Sequence, residues 1–251
     1  MDNRNILSKT IDINVDVGEG FGIESQIFPF ISSANIACGG HAGDYNSMHE
    51  AVELAKKFNV RIGAHPGFED KENFGRKPLD ISLENLKQSI FCQIQRLIDI
   101  AHKHHISVRY LKAHGALYHL VCHEECYARL LIEIIHQNFP ELKIMGLPNC
   151  LLRDLCLKDR VEYIAEGFAD RSYEADGKLM DRNLQGSVLE QKERIVEQVI
   201  NFLFKKVKTI EGNELRLVVN SICFHGDSKG AIESIQATIQ ELKSRGIEIQ
   251  C

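Results

Sequence analysis

Four histidines share one local pattern, because each comes soon after a short apolar run and lies beside glycine or Pro-Gly. They are His41, His65, His114 and His225, and they follow the runs ANIAC, VRIGA, VRYLKA and ICF. Glycine lets the backbone turn sharply and lets a ligand approach closely. One such histidine would be typical of a structural residue, whereas four in the same position indicate one shared site.

Carboxylates occupy the same turns. Asp16 and Glu19 follow the run IDINV, Asp44 follows ANIAC, and Asp227 follows ICF. Imidazole and carboxylate groups that lie close together act as general acids and bases, or they bind a divalent metal ion. The residue types allow both kinds of chemistry.

Lys112 lies two residues before His114 in the run VRYLKA. Side chains two positions apart in a strand point to the same side, so we expect Lys112 to project into the same site as His114. A lysine there could bind a carboxylate or polarise a carbonyl oxygen. The alternative is a lysine that buries its aliphatic stem at a strand end and extends its ammonium into solvent.

The segment 167–182 (GFADRSYEADGKLMDR) is irregular and dense in charge and glycine. Loops of this composition often close over substrates, although a plain solvated loop has a similar composition. The segment contains Asp170 together with Arg171 and Arg182. Either guanidinium group is suited to bidentate binding of a substrate carboxylate.

Strand-like and helix-like patterns alternate along the chain, and they must position these residues. The strand-like runs span 11–15, 34–38, 60–64, 108–113, 142–146, 161–165 and 219–224. The helix-like stretches span 45–58, 82–104, 124–138, 149–158, 190–206 and 229–245. This alternation predicts parallel strands whose carboxyl ends share one face. Seven strands favour an α/β fold of the (β/α)-barrel type in a single domain over 1–251, with a doubly wound sheet as the alternative.

Composition excludes several classes of function. The net charge is −5, with 30 basic and 35 acidic residues that form no basic stripe, so we expect no nucleic-acid binding. No apolar run is long enough to cross a bilayer, and the start MDNRNILSKT does not resemble a signal peptide. Eight cysteines without a CxxC pair are typical of reduced thiols. We therefore expect a cytoplasmic protein that acts on a small molecule away from membranes.

Two common nucleotide-binding motifs are absent from the sequence. Gly18, Gly20 and Gly22 form GxGxG, but the third glycine comes one residue too early for a dinucleotide-binding motif. The sequence also contains no GxxxxGK[ST] phosphate loop. If the reaction consumes ATP, we expect another protein to hold the nucleotide.

Six motifs resemble, in order, the successive signatures of the LamB/YcsF family. They are DINVDVGEGFG, SANIACGGHAGD, IGAHPGFEDKENFGR, LKAHGALYH, EGFADRSYEADGKL and ICFHGD. The resemblance implies a distorted (β/α) barrel related to the glycoside hydrolase/deacetylase superfamily. It also implies ATP-dependent hydrolysis of 5-oxoproline to glutamate in a complex with two partner subunits, B and C.

The resemblance assigns roles to individual residues. The matching positions are Asp16, Glu19, His41, Asp44, His65, Lys112, His114, Asp170, Arg171, His225 and Asp227. We expect Asp16, with His41 or His65, to form either the catalytic base or a metal cluster. Lys112 and His114 are expected to stabilise an oxyanion. The remaining positions are expected to bind substrate.

Two other functions stay open. An aspartate and two histidines at strand ends resemble the metal site of fold relatives, so one alternative is a metal-dependent carbohydrate deacetylase. The other is a non-catalytic scaffold subunit, which predicts that alanine at His41 or Lys112 leaves the activity of the complex intact. The sequence also leaves open a divalent metal cofactor and self-association into a homo-oligomer.

Overall fold

A computed structural model of the chain describes residues 10–228 and 230–250. The stretch 1–9, which contains most of the start that does not resemble a signal peptide, lies outside the described residues. Residue 229, the first position of the last predicted helix, lies outside them as well. Among the described helices, none is long and apolar enough to cross a membrane.

All seven predicted strands are present. They are β1 (Thr10–Val17), β2 (Ser33–Ala37), β3 (Arg61–His65), β4 (Val108–Lys112), β5 (Lys143–Gly146), β6 (Tyr163–Phe168) and, later in the chain, β9 (Ser221–Phe224). Between β6 and β9 the short strands β7 (Lys206–Lys208) and β8 (Glu214–Arg216) form an antiparallel hairpin. A last short strand, β10 (Glu248–Ile249), pairs with the start of β1.

The seven main strands close into a barrel. The order β1-β2-β3-β4-β5-β6-β9 is parallel throughout, and β9 returns to pair with β1. In β1, Asp12 is aligned with Ser221 of β9, and Asp16 is aligned with Asn35 of β2. The predicted (β/α) barrel is therefore confirmed, and the doubly wound open sheet is wrong. All seven carboxyl ends meet at one edge, which is the geometry that the strand-end histidines require.

Helices surround the barrel. They are α1 (Glu24–Ile27), α2 (Tyr45–Phe58), α3 (Leu83–Lys103), α4 (Gly115–His123), α5 (Glu125–Asn138), α6 (Leu151–Lys158), α7 (Lys192–Leu203) and α8 (Ala231–Ser244). A short 3₁₀ turn spans Phe28–Phe30. The sequence patterns did not predict α1 or α4. The second of these matters for the site, because α4 begins directly after His114 and fixes where that residue lies.

Helix α3 shows why these segments are helical. The Ser82 hydroxyl accepts a hydrogen bond from the Asn85 backbone and caps the first turn. Leu86, Ile90 and Leu97 recur at helical spacing and are fully buried in the core. Complete burial of one such side chain contributes about 1.5–3 kcal/mol. Ile90→Ala is therefore expected to reduce the free energy of unfolding by about 2–5 kcal/mol, a figure that includes the cost of the cavity it leaves.

The inside of the barrel is polar along β1. Asp12 at the amino end pairs with Arg61 at 2.8 Å and accepts hydrogen bonds from Ser32, Ser33 and Ser221. Alternation of side chains then brings Asn14 and Asp16 to the same inner face, while Ile13 and Val15 join the hydrophobic core. The interior thus forms a hydrogen-bonded column that leads to the carboxyl edge.

Candidate active site

A cavity of about 890 Å³ opens at the carboxyl ends of the strands. The predicted site residues that line it are Asp16, Glu19, His65, Lys112, His114, Arg171, His225 and Asp227. His41 and Asp170 are buried behind lining residues, and Asp44 lies elsewhere. Three of the four strand-end histidines therefore face one cavity.

Lys112 is buried at the base of the cavity between two carboxylates. Its Nζ lies 2.9 Å from Asp16 Oδ1 and 3.1 Å from Glu166 Oε2. Burial alone would lower the pKa of Lys112, but the Asp16 carboxylate beside it, together with Glu166, holds that pKa well above its usual value. Conversely, burial would raise the pKa of Asp16, and the Lys112 ammonium keeps it well below the usual value. The two groups therefore face the cavity as a charged pair.

Glu166 is a site residue that the sequence interpretation missed. It lies within β6, its side chain is completely buried, and apart from the ion pair with Lys112 neither of its oxygens has a hydrogen-bond partner among the described residues. The sequence analysis ended this strand at residue 165 and gave the next residue, Glu166, no role, whereas the strand continues to Phe168. The available signal was a single acidic residue in an otherwise apolar run, since a buried charge needs a partner.

His65 and His114 form a chain of hydrogen-bonding atoms next to Lys112. His65 Nδ1 lies 2.8 Å from the Lys112 carbonyl oxygen, and His65 Nε2 lies 3.0 Å from His114 Nδ1. The other nitrogen of His114, Nε2, lies 2.9 Å from the carbonyl oxygen of Phe74. Both nitrogens of each ring are thus occupied. The expected role of His114 as a direct donor to an oxyanion finds no free N–H in this geometry.

His41 stacks on His114 with ring centroids 3.5 Å apart and an angle of 2° between the planes. Its Nε2 lies 3.0 Å from Glu19 Oε1. Burial and the neighbouring histidines lower the pKa of both His41 and His114 well below the usual value. Burial and the Asp16 charge raise the pKa of Glu19 to about 7. A Cβ on Gly75, whose φ is +60°, would lie 2.7 Å from His41 Cβ, so this close packing requires glycine.

His225 and Asp170 form a second imidazole–carboxylate pair. Asp170 Oδ1 lies 2.9 Å from His225 Nδ1, and Asp170 Oδ2 accepts a hydrogen bond from the His225 backbone. Although burial alone would lower the pKa of His225, the Asp170 carboxylate raises it above the usual value. His225 is therefore suited to carry a proton into the cavity.

Guanidinium groups surround Asp227 at the mouth of the cavity. Asp227 Oδ2 lies 2.6 Å from Arg76 Nη2 and 2.8 Å from Arg182 Nη2. Arg171, the expected carboxylate clamp, instead donates to the carbonyl oxygens of Ser187 and Met180 and holds the irregular segment in place. Arg76 and Arg182 thus line the mouth of the cavity with their guanidinium groups bound to Asp227, and sequence reasoning missed Arg76.

Asp44 was predicted to bind substrate, and the structure places it at the start of α2. Its Oδ1 accepts a hydrogen bond of 2.9 Å from the Ser47 backbone, while Ser47 Oγ accepts one from the Asp44 backbone. This reciprocal capping box satisfies free N–H groups of the first turn. Asp44 is exposed and does not line the cavity. The spacing after the glycines fits a helix cap as well as a ligand-binding turn.

We therefore expect Asp44→Ala to reduce the free energy of unfolding by about 1 kcal/mol, as loss of a cap usually does. Activity should stay at the wild-type level, because the side chain is remote from the cavity. Thermal melts of the purified chain measure the loss of stability, and kcat/KM of the reconstituted complex that the family resemblance implies measures activity. Asp44→Asn, which keeps a capping oxygen, is the control and should melt close to wild type. A large loss of activity in Asp44→Ala would mean that Asp44 binds substrate, as the sequence predicted.

Donor atoms of three groups of side chains converge to within 4.8 Å in the described part of the chain. The groups are Glu19 with His41, His65 and His114; Asp16 with Cys223 and His225; and the partly exposed His49 with Glu53 and His104. The expected metal set of Asp16, His41 and His65 is not among them. Asp16 turns one oxygen to Lys112, and Glu19 and His114 take its place beside the two histidines.

The seven parallel strands form a closed (β/α) barrel with acidic and imidazole groups gathered at its carboxyl edge. The fold resembles that of a peptidoglycan N-acetylglucosamine deacetylase, with a TM-score of 0.51 over 97% of this chain and 86% of that one. The sequence identity is 11%, so this similarity concerns the fold alone. The chain belongs to the LamB/YcsF family, whose sequence profile matches residues 11–251.

Two further relatives are similar over almost their whole length. The chain is 37% identical to the A subunit of the 5-oxoprolinase of Histophilus somni (strain 129Pt), covering 95% of this chain and 97% of the relative. It is 31% identical to the lactam utilization protein of Thermus thermophilus, whose crystal structure matches with a TM-score of 0.89. That alignment covers 96% of this chain and 99% of the Thermus chain.

Proposed function

We propose that this chain is the ring-opening subunit of a three-part 5-oxoprolinase, which hydrolyses 5-oxo-L-proline to L-glutamate with ATP and needs two partner subunits, B and C. The observation that carries the proposal is 37% identity across 95% of the chain to a relative named as the A subunit of 5-oxoprolinase. The buried Lys112–Asp16–Glu166 group at the base of the cavity supports a catalytic role, because buried charges are costly to maintain.

The chemistry requires an activated amide. A five-membered lactam is stabilised by resonance, so transfer of the γ-phosphoryl group of ATP to its oxygen would make the ring carbon a better electrophile. Water would then attack that carbon and the C–N bond would break, which leaves γ-glutamyl phosphate. A second water would hydrolyse this acyl phosphate to glutamate and inorganic phosphate. The nucleotide would be held by or with the partner subunits, since the sequence contains no phosphate loop.

The residues of the cavity divide these tasks. Asp16, kept ionised by Lys112, would accept the proton of the attacking water. The Lys112 ammonium would stabilise negative charge that develops on the substrate oxygen. His225, whose raised pKa favours the protonated ring, would donate a proton to the departing amine. Arg76 and Arg182 would bind the substrate carboxylate at the mouth.

We expect the purified chain alone to show negligible ATPase and negligible 5-oxoprolinase activity. The test is a malachite-green phosphate assay with 5-oxoproline, with and without the B and C subunits, paired with a direct measurement of glutamate. Strong turnover by the chain alone would contradict the proposal that the reaction needs the B and C subunits. Release of acetate from an N-acetylated sugar without ATP would instead favour the deacetylase, and full activity of complexes carrying Lys112→Met would favour a scaffold.

A further inference from the structure

Four buried side chains turn one donor atom each toward a common point beside the cavity. They are Glu19, His41, His65 and His114. Glu19 Oε1 lies 3.0 Å from His41 Nε2, 3.4 Å from His114 Nδ1 and 3.8 Å from His65 Nε2. A tetrahedral ion with bonds of about 2.0–2.1 Å holds its donor atoms about 3.3 Å apart. With the 3.0 Å between His65 Nε2 and His114 Nδ1, four of the six distances among these atoms are close to the spacing of ligands around one ion, and all six are within 4.8 Å.

The tautomers of two of these rings are fixed by their outer partners. A carbonyl oxygen only accepts hydrogen bonds, so His65 Nδ1 must carry a hydrogen for the Lys112 carbonyl, and His114 Nε2 must carry one for the Phe74 carbonyl. The remaining nitrogens, His65 Nε2 and His114 Nδ1, then face each other at 3.0 Å. In neutral rings both are lone pairs, which repel at this distance. A positive species must lie between them.

A proton and a metal ion would fill this place differently. A single proton joins only two of the four donor atoms. A metal ion accepts a lone pair from all four at once. The outer hydrogen bonds to the Lys112 and Phe74 carbonyls also match the contacts that orient ligating histidines in metal sites. His41 stacks face to face on His114, so one of these two rings must turn for both lone pairs to point at the same ion.

We propose that Glu19, His41, His65 and His114 bind one divalent transition-metal ion of the Zn²⁺ class. Three imidazole nitrogens and one carboxylate oxygen favour Zn²⁺, Co²⁺ or Ni²⁺ over Mg²⁺ and Ca²⁺, which prefer shells of oxygen. Asp16 Oδ2, 3.5 Å from His65 Nε2, borders the same point. The inference concerns the chain alone and stands apart from the proposed reaction.

Metal uptake by the purified full chain tests this inference. The chain is stripped with a chelator, checked for folding by circular dichroism, and titrated separately with Zn²⁺, Co²⁺ and Mg²⁺ by calorimetry. The His49→Ala background removes the surface group of His49, Glu53 and His104 as a competing site. We expect about one equivalent of Zn²⁺ per chain, visible absorption bands of tetrahedral Co²⁺, and no uptake of Mg²⁺.

Variants within and beside the group locate the ion. In His65→Asn/His114→Asn, we expect affinity for Zn²⁺ to fall by more than the roughly 10- to 100-fold that loss of an outer-shell partner costs. Glu19→Gln, which keeps the side-chain shape, should weaken binding and change the Co²⁺ spectrum even if the double variant does not fold. His119→Asn is the matched control, because His119 lines the same cavity outside the group.

Two results would overturn the inference. One is a folded, stripped chain that takes up none of these transition metals, which would assign the contact between His65 and His114 to a shared proton. The other is undiminished binding of Zn²⁺ by a folded Glu19→Gln or double histidine variant, which would place the ion elsewhere.

Discussion

Lys112→Met in the reconstituted complex is expected to lower kcat/KM by roughly 30- to 1,000-fold, as loss of a buried charge that stabilises a transition state does. It is also expected to destabilise the fold by about 3–5 kcal/mol, because removing one member of a buried ion group leaves the others uncompensated. Those others are Asp16 and Glu166, both within 3.1 Å of the ammonium. A surface lysine would change stability by less than about 0.5 kcal/mol.

The contribution of Asp16 to the free energy of unfolding should change with pH in opposite directions in Lys112→Met and in the wild type. In the wild type the lowered pKa of Asp16 stabilises the fold above the unfolded pKa, and this contribution is lost on acidification. In Lys112→Met, burial without the neighbouring cation is expected to raise the folded pKa of Asp16, so the folded state binds a proton more readily than the unfolded state. The difference in unfolding free energy between the proteins should therefore shrink as the pH falls.

Denaturant melts at several pH values measure the loss of stability, and kcat/KM of the reconstituted complex measures the loss of rate. The double variant Lys112→Met/Glu166→Gln also removes one of the two carboxylates that Lys112→Met leaves without a partner. Its free energy of unfolding should therefore recover much of the loss, while kcat/KM stays low. Lys178→Met is the matched control, since Lys178 lines the cavity while it is exposed and paired with Asp176. If the double variant had the kcat/KM of the wild type, Lys112 would have no role in the reaction.

Asp16→Asn is expected to lower kcat/KM by about 10²- to 10⁴-fold, the usual contribution of a general base. The replacement keeps the shape of the side chain, and its oxygen can still accept the hydrogen bond from Asn35. Lys112 also keeps Glu166 as a partner, so the loss of stability should be modest. Steady-state kinetics of the reconstituted complex and a thermal melt measure the two quantities.

Asp12→Asn is the control that matches this change in residue type, strand and inner face. Asp12 lies four residues earlier in β1, roughly 13 Å away at the spacing of an extended chain. Its carboxylate accepts from Ser32, Ser33 and Ser221, so an amide there places a donor against donors and should cost about 1–3 kcal/mol. Activity should stay near wild type. Equal rate losses in the two variants would mean that Asp16 acts through the fold.

The sequence predicted the barrel and much of the site because one topological rule places strand ends together. Asp16, His65, His114 and His225 follow that rule and line the cavity. Glu166 also lies near the end of its strand, but its role depends on the contact with Lys112, which lies 54 residues earlier in the chain. Burial and pairing of this kind depend on which strand neighbours which, and periodicity along one chain does not contain that information.

Local ambiguity accounts for the other differences. An aspartate that precedes a helix serves equally as a cap or as a ligand, and Asp44 is a cap. Arg171 and Arg182 lie in the same charged segment, yet one binds backbone carbonyls and the other binds Asp227. Which atoms lie next to the two nitrogens of His65 depends on side-chain rotation, and the residue types alone do not determine that rotation.

Closure of the barrel by β9 has a consequence for synthesis of the chain on the ribosome. The hydrogen bond between Asp12 and Ser221 joins residues 209 positions apart, and the Asp16–Lys112 contact joins residues 96 apart. The first strand therefore emerges with its inward carboxylates hydrated, and it gains its second barrel neighbour only after nearly the whole chain has been translated. Until then, two strand edges remain open to other chains. His225, the proposed proton donor, directly follows β9, so a nascent chain that stops before β9 has neither a closed sheet nor a finished site.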